Sequence, residues 1–184
     1  LDLTHAKVIN EHLELFLKHN IRSVIGASGL TEENIQKAQE TCEQQALGMF
    51  IVPNFSIGMM LMQHCAELIA PLMPHVEIIE THHQRKIDAP SGTALDTAKR
   101  IDQWVKPNKK SGGYHNFNTP IHSLRMPHAQ ANQDIIFSQP GESLTLSHHC
   151  LEQQAYASGI QLAIKHVMTL KRCQVGLSSC LKTK

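Results

Sequence analysis

With 184 residues, 41% of them hydrophobic and 18% charged, the chain can bury one sizeable core or two small ones. A formal net charge of +1 offers no field for nucleic acid or an acidic membrane surface, and no apolar run reaches the length of a membrane span. The five cysteines, at 42, 65, 150, 173 and 180, form no CxxC pair and read as reduced thiols in a cytoplasmic protein.

Taken in chain order, Leu1-Asp2-Leu3 reads as the end of a strand. With no initiator methionine before it, an upstream segment is expected, and nothing there has the basic and apolar regions of a secretion signal. A helix is predicted over His5–His19, with Ile9, Leu13, Phe16 and Leu17 on one face. Ser23-Val24-Ile25 is a short strand that ends at Gly26. Thr31 is placed to cap a second helix with Glu32 and Glu33 in its first turn, Ile35, Ala38, Cys42 and Ala46 inward, and Gly48 at its end. Met49–Val52 is another short strand, broken by Pro53.

Strand, helix, strand, helix, strand with short links predicts a parallel sheet, whose ligands sit at the carboxyl ends of the strands. Those ends are Asp2-Leu3-Thr4, Gly26-Ala27-Ser28-Gly29 and Pro53-Asn54-Phe55-Ser56. They form either a cofactor rim or simply turns.

A longer helix is predicted over Ile57–Met73, stopped by Pro71 and Pro74, then a strand over Val76–Thr81 with Glu77 and Glu80 among apolar residues. A helix starts near Gly92, with Ala94, Ala98, Ile101 and Val105 on one face. Lys106–Asn118 reads as an exposed, mobile loop. Strands over Ile121–Met126, Ile135–Ser138 and Ser143–His148, with a Pro140-Gly141 turn, predict antiparallel pairing. A last helix over Gln153–Leu170 buries Tyr156, Ile160, Ala163 and Val167, and the tail beyond Gly176 reads as frayed.

The chemistry concentrates between strand and helix, at His82-His83-Gln84-Arg85-Lys86-Ile87-Asp88-Ala89-Pro90-Ser91-Gly92-Thr93. The amides of Gly92 and Thr93 at a helix start, the hydroxyls of Ser91 and Thr93 and the ammonium of Lys86 suit a carboxylate or phosphate. His82 and His83 bring imidazoles that exchange protons near neutral pH. Each has a plainer use as well: Ser91 as a helix cap, Lys86 as a solvated side chain, the histidines as surface or strand residues. Thirteen histidines raise the question of a metal. No HExxH or spaced His/Cys set appears, and adjacent strand histidines point to opposite faces, so none is expected.

Glu80-Thr81-His82-His83-Gln84-Arg85-Lys86-Ile87-Asp88-Ala89-Pro90-Ser91-Gly92-Thr93-Ala94 resembles the signature E-x-H-H-x-x-K-x-D-x-P-S-G-T-A of the 4-hydroxy-tetrahydrodipicolinate reductases. Asp2-Leu3-Thr4, Gly26-Ala27-Ser28-Gly29 and Asn54-Phe55-Ser56-Ile57-Gly58 resemble the family's D-F-T, G-T-T-G and N-F-S-x-G. Gly141-Glu142, His148 and Tyr156-Ala157-Ser158-Gly159 fall at comparable places, so the resemblance covers nearly the whole chain. It implies reduction of a cyclic imine dicarboxylate by NADPH or NADH in lysine and diaminopimelate synthesis. His82 would protonate the ring carbon beside the one that receives hydride, and Lys86 would assist as donor or electrostatic stabiliser. His83, Ser91, Gly92 and Thr93 would hold substrate, while Gly26, Ala27, Ser28, Val52, Pro53, Asn54 and Phe55 would line the nicotinamide and ribose.

The fold implied is α/β: a truncated Rossmann-type parallel sheet plus an α+β substrate and oligomerisation domain with an open mixed sheet that builds a homotetramer. Residues 1–56 and 154–184 would belong to the cofactor domain and 57–153 to the other, with hinge closure between them. Three departures stand out. The family's first strand, its G-x-G-x-x-G loop and the residue that reads the adenosine ribose have no counterpart, which weighs against hydride transfer by residues 1–184 alone. Met126–Asp134 replaces a G-x-x-x-G-x-H stretch that follows the arginine matched by Arg125. Gln153 stands where the family has an arginine. The competing readings are a non-catalytic remnant that keeps a dicarboxylate site and assembly surface, a histidine metal protein, and another bipartite nicotinamide reductase, which leaves the Pro-Ser-Gly-Thr loop unexplained.

Overall fold

The computed structural model of the chain describes residues 1–108 and 110–181. They form two compact units, Leu1–Ile57 with Tyr156–Lys184, and Gly58–Ala155. No helix among the described residues is long and apolar enough to cross a membrane.

The first unit is built on three parallel strands, β1 (Ser23–Ile25), β2 (Met49–Ile51) and β7 (Cys173–Val175), in the order β1-β2-β7. Asp2 bridges Ile25 in parallel on the free edge of β1. The strands β1 and β2 are apolar on both faces because helices lie on both sides. Ile25, Met49, Ile51 and Cys173 join Ile9, Leu13 and Leu17 of α1 (Ile9–Lys18) and Ala38 and Cys42 of α2 (Glu32–Gln45) in one core. On the other face Phe50 meets His166 of α5 (Ala157–Val167) with ring centroids 5.1 Å apart. Asp2 is almost fully buried, yet its carboxylate accepts from His12 Nδ1 at 2.7 Å and from Thr4 N at 2.9 Å and Oγ1 at 2.5 Å. Burial pushes its carboxyl up, but these bonds outweigh that and hold it below the usual carboxylate range.

Several expectations change here. The segment from His5 to Val8 is a turn, so α1 begins only at Ile9. Helix α2 is capped by Thr31, whose hydroxyl accepts from Asn34 N at 3.2 Å, but it ends before Gly48. Ala46, expected inward, is exposed and makes the stop itself with φ 50. Gly48 has another duty, since a side chain there would sit 2.6 Å from the Leu170 carbonyl. The segment expected to fray after Gly176 instead follows β7 as a 3-10 turn over Leu177–Cys180, with Leu177 buried. β7 pairs with β2, and the Gly176 N–H extends that ladder onto the Ile51 carbonyl at 2.8 Å as the chain enters the turn. The last helix is split: Gln153–Tyr156 is 3-10, and Tyr156 and Ile160 are only half-buried while Gly159 is buried.

The second unit is a mixed sheet of order β4-β3-β5-β6, made of β3 (His75–His83), β4 (Ile121–Met126), β5 (Ala131–Gln139) and β6 (Glu142–Cys150). β3 runs parallel to β4 and antiparallel to β5, and β5 and β6 form a hairpin closed at Gln139↔Glu142 by the Pro140-Gly141 turn. Helices α3 (Ile57–Ile69) and α4 (Gly92–Ile101) cover one face, where Met59, Met62 and Ala66 meet Ala94, Ala98 and Ile101 over Val76, Ile78, Ile121, Ile135 and Phe137. The other face carries neither of these two helices. It presents Ile79 and Ile136, half-buried, with Leu124 and Met126 at 45% and 51% exposure. Helix α3 stops at Ile69, one turn before the expected Met73, ahead of Pro71. The loop after α4 is tied down in its described part. Asn118 N donates to Asp102 Oδ1 at 2.6 Å, and Tyr114 bridges Ile121. Lys109, inside that loop, and Lys182 to Lys184, inside the tail, lie outside the described residues.

The N-F-S loop after β2 is wedged between two glycines of its own unit. A Cβ on Gly26 would fall 2.3 Å from the Phe55 ring, and one on Gly159 only 1.8 Å from the Phe55 carbonyl oxygen. Helix α5 therefore rests directly on loop backbone, which has no slack to give. Gly159→Ala is expected to destabilise the chain by about 2–3 kcal/mol through this overpacking. Urea unfolding measures it, and a midpoint unchanged from the parent would refute the close-approach account.

Candidate active site

Strand alternation sends Val76, Ile78 and Glu80 towards the helix-covered face. His82 continues this series at the strand end. Parallel pairing sets Ser123 of β4 opposite Glu80 and Arg125 opposite His82. Glu80 has no solvent exposure. Its Oε1 accepts from Arg125 Nη2 at 2.9 Å and its Oε2 from Nη1 at 3.1 Å, a two-pronged pair, and Oε2 also bonds His82 Nδ1. Burial alone pushes this carboxyl up, but hydrogen bonds from His82, Arg125 and Ser123 outweigh burial and hold it at about 2. Because Glu80 stays ionised, His82 donates through Nδ1, and Nε2 is the nitrogen left for chemistry.

Beyond β3 the chain turns at once, with Lys86 N donating to His83 O at 3.1 Å. The Lys86 ammonium pairs with Asp88 Oδ1 at 2.8 Å, and the same contact holds the Asp88 carboxyl below its usual range. Arg125 reaches this loop too, donating from Nη2 to the Asp88 carbonyl at 2.7 Å. The Ala89–Pro90 peptide is cis. Ser91 is buried and its Oγ accepts from Ala94 N at 3.2 Å, so that oxygen serves as the cap of α4. Gly92 and Thr93 open the helix, Gly92 with open space where a side chain would be. Amides at these two positions point out of a helix start, at the positive end of its dipole.

His83 faces the other way. It pairs with Met126 and lines a cleft of about 420 Å³ with Gln84, Arg85, Pro127, His128, Ala129 and Gln130. None of His82, Lys86, Gly92 or Thr93 lines that cleft. His83 Nδ1 is buried without a hydrogen-bond partner.

The remaining expected residues belong to the first unit. Gly26, Ala27 and Ser28 leave the end of β1, and Pro53, Asn54 and Phe55 follow β2 after Val52. Val52 is fully buried, with its N–H on the Ile25 carbonyl at 2.8 Å, and Phe55 is buried against Gly26. Asn54 Oδ1 accepts from Ser56 N at 2.8 Å, which shapes the loop. Ser28 and Pro53 are exposed. Among the described residues, no three His, Cys, Asp or Glu side chains gather as a metal-holding group.

Sequence reading gave no role to Glu80 or Arg125. The signal was present: a glutamate in the buried phase of an alternating strand, two residues before a histidine, needs cationic partners. Since the Glu80 pKa is depressed in the folded chain, the stabilisation it brings is full above about 4.5 and is lost as pH falls towards about 2. The expected loss across that window is about 3 kcal/mol. Urea unfolding at several pH values measures it, and Glu80→Gln should flatten the slope by about one proton. An equal slope in both proteins would mean that the carboxyl is not depressed.

Comparison with known proteins supplies the family. Residues 56–181 match the family model "Dihydrodipicolinate reductase, C-terminus", and residues 1–55 match "Dihydrodipicolinate reductase, N-terminus". The chain is 40% identical to the 4-hydroxy-tetrahydrodipicolinate reductase of Geobacillus thermodenitrificans strain NG80-2, over 99% of this chain and 73% of that protein. It is 38% identical to that of Legionella pneumophila strain Paris, over 98% of this chain and 79% of the relative. Among solved structures, the dipicolinate-bound dihydrodipicolinate reductase from Paenisporosarcina sp. TG-14 superposes with a TM-score of 0.85 at 39% identity, over 98% of this chain and 72% of that one. The sheet pairings, the Glu80–Ala94 signature and these matches agree, and the chain belongs to the dihydrodipicolinate reductase family of oxidoreductases.

Proposed function

We propose that the chain reduces 4-hydroxy-tetrahydrodipicolinate to tetrahydrodipicolinate with NADPH or NADH, as a step of lysine and diaminopimelate synthesis. The observation that carries the reading is one short loop joining an imidazole anchored on a buried carboxylate, an ammonium two residues from its aspartate, and a capped helix start. A diacid with a reducible ring is the substrate that uses all three. The dipicolinate bound by the Paenisporosarcina relative, a flat aromatic diacid, supports that class.

For the cofactor, the donor set fits the nicotinamide end. The loops Gly26–Gly29 and Pro53–Ser56 leave neighbouring parallel strands at the same edge, and they offer backbone amides, the Ser28 hydroxyl and the Asn54 carboxamide. Residues 1–184 contain no G-x-G-x-x-G run, so the reading assigns nicotinamide and ribose, not the pyrophosphate, to these loops. A reduced nicotinamide held there supplies a hydride.

The rest of the chemistry falls to side chains. Loss of water from the substrate leaves a conjugated cyclic imine, which takes the hydride at one ring carbon. His82 gives the proton from Nε2 to the neighbouring carbon, and Lys86 stabilises the negative charge that moves to the nitrogen side. The Gly92 and Thr93 amides hold a carboxylate, whereas His83, turned to the cleft with Arg85 and His128, is given no part in that contact. Ser91 keeps those amides aimed by capping α4. The open sheet face, with Leu124 and Met126 exposed, is the surface through which copies assemble as a homotetramer.

Two experiments test this reading. His82→Ala should lower kcat by about 100-fold or more, and Lys86→Ala by about 10-fold or more, while pyridine-2,6-dicarboxylate still binds to His82→Ala in isothermal titration. Wild-type turnover in either variant would refute its assigned role. Light scattering should report a tetramer that Leu124→Lys with Met126→Lys dissociates. A monomeric parent protein would overturn the assembly.

A further inference from the structure

The geometry points to Glu80 and Arg125 as positioning residues for His82: the pair fixes the imidazole with its proton on Nδ1 and ties it to the loop that bears Lys86. The inference rests on the reading of His82 as proton donor and adds a mechanism that makes it one.

Three observations carry it. First, Glu80 is fully buried, and both its oxygens are taken by Arg125. Because two parallel N–H bonds fix the carboxylate plane, the direction in which Oε2 receives His82 Nδ1 is fixed as well. Second, the histidine side chain is only 15% exposed while its partner is at 0%. Its Nδ1 is therefore turned into the protein, and the reactive atom left is Nε2. Third, Arg125 Nη2 also holds the Asp88 carbonyl, and Asp88 carries the Lys86 ammonium on its carboxylate. One guanidinium thus supports both the proton donor and the neighbouring cation.

A purely structural purpose explains less. A buried ion pair on its own stabilises a fold little better than a well-packed apolar pair. Here the pair lies at the end of a strand whose other buried positions, Val76 and Ile78, are apolar. A third apolar side chain at position 80 would serve packing and leave His82 Nδ1 without an acceptor. The groups that face His82 across the sheet are Arg125 on β4 and the uncharged Ala131 on β5, so Glu80 is its only anionic partner among these pairings. A carboxylate held at about 2 is ionised at every pH at which the reaction is run. It takes no proton itself and holds the Nδ1 proton of the imidazole in place, leaving Nε2 to face the reaction.

The test has two arms. In the parent protein labelled with ¹⁵N-histidine, NMR should find neutral His82 protonated on Nδ1, and a neutral form protonated on Nε2 would overturn the inference without any variant. In the second arm, Glu80→Gln should lower kcat by about 10- to 100-fold with KM within about 3-fold. It should also let the neutral His82 imidazole populate the form protonated on Nε2 in the same NMR experiment, which a fold defect alone would not do. Arg125→Lys, which keeps the charge and loses the fork, should fall between parent and Glu80→Gln. Suppose His82→Ala loses turnover while Glu80→Gln keeps both rate and tautomer. The positioning role then falls and the proton-donor role stands. Full turnover in His82→Ala would instead remove the proton donor itself.

Discussion

A carboxylate with no exposure to water needs compensation from its neighbours, and around Glu80 that requirement organises the second unit. Arg125 answers it only because β3 and β4 run parallel in the register that puts position 125 opposite position 82. Shifting that register by one residue would turn the guanidinium to the opposite face and leave the charge alone. The apolar residues of α3, α4 and the sheet core supply the driving force for folding, but they would tolerate sliding better than this pair does. The Arg125 bond to the Asp88 carbonyl carries the same register into the loop, where the chemistry of the signature lies.

Much of this architecture was legible in the residues. β1 was found at its bounds, and the Pro140-Gly141 hairpin and the α4 start at Gly92 were found because each is announced locally, by an apolar run, a turn pair or a cap. One short element that depends on a partner distant in sequence, β7, was not found. β7 is a strand because Met49–Ile51 lies beside it, and nothing within Cys173–Val175 says so. The αL stop at Ala46 was invisible for the opposite reason: glycine two residues later looked like the better terminator, but its place was taken by the close approach of the Leu170 carbonyl.

The site divides along the same line. The anion-binding character of Pro90-Ser91-Gly92-Thr93 is a property of a helix start and could be read directly. Which imidazole faces which partner depends on strand phase. Two adjacent histidines in one strand take opposite faces, so the structure gives His82 to Glu80 and turns His83 to the cleft with Arg85 and His128. That cleft also shows how a glycine-poor stretch replaces the family's glycine-rich one. The turn between β4 and β5 needs a left-handed residue, and His128 supplies it at φ 62, a conformation that costs a side-chain-bearing residue about 1 kcal/mol.

Helix α4 must hold its first turn still if its amides are to meet a ligand, and apolar packing fixes a helix axis better than its rotation about that axis. Thr97 supplies the missing constraint. Its fully buried hydroxyl accepts from Gln63 Nε2 on α3 and Gln133 Nε2 on β5, each at 3.0 Å, and donates to the Thr93 carbonyl at 2.9 Å. Both lone pairs and the proton are then in use. Rotating α4 by a few tens of degrees would strand two buried amides, each at about 1–3 kcal/mol, whereas Ala94 and Ala98 would lose little contact. Gln133 lies within Met126–Asp134, the stretch that departs from the family pattern, so that segment contributes a buried donor to the site's support. The two polar clusters divide the work: Glu80 with Arg125 orients the imidazole, and Thr97 with its glutamines orients the helix start.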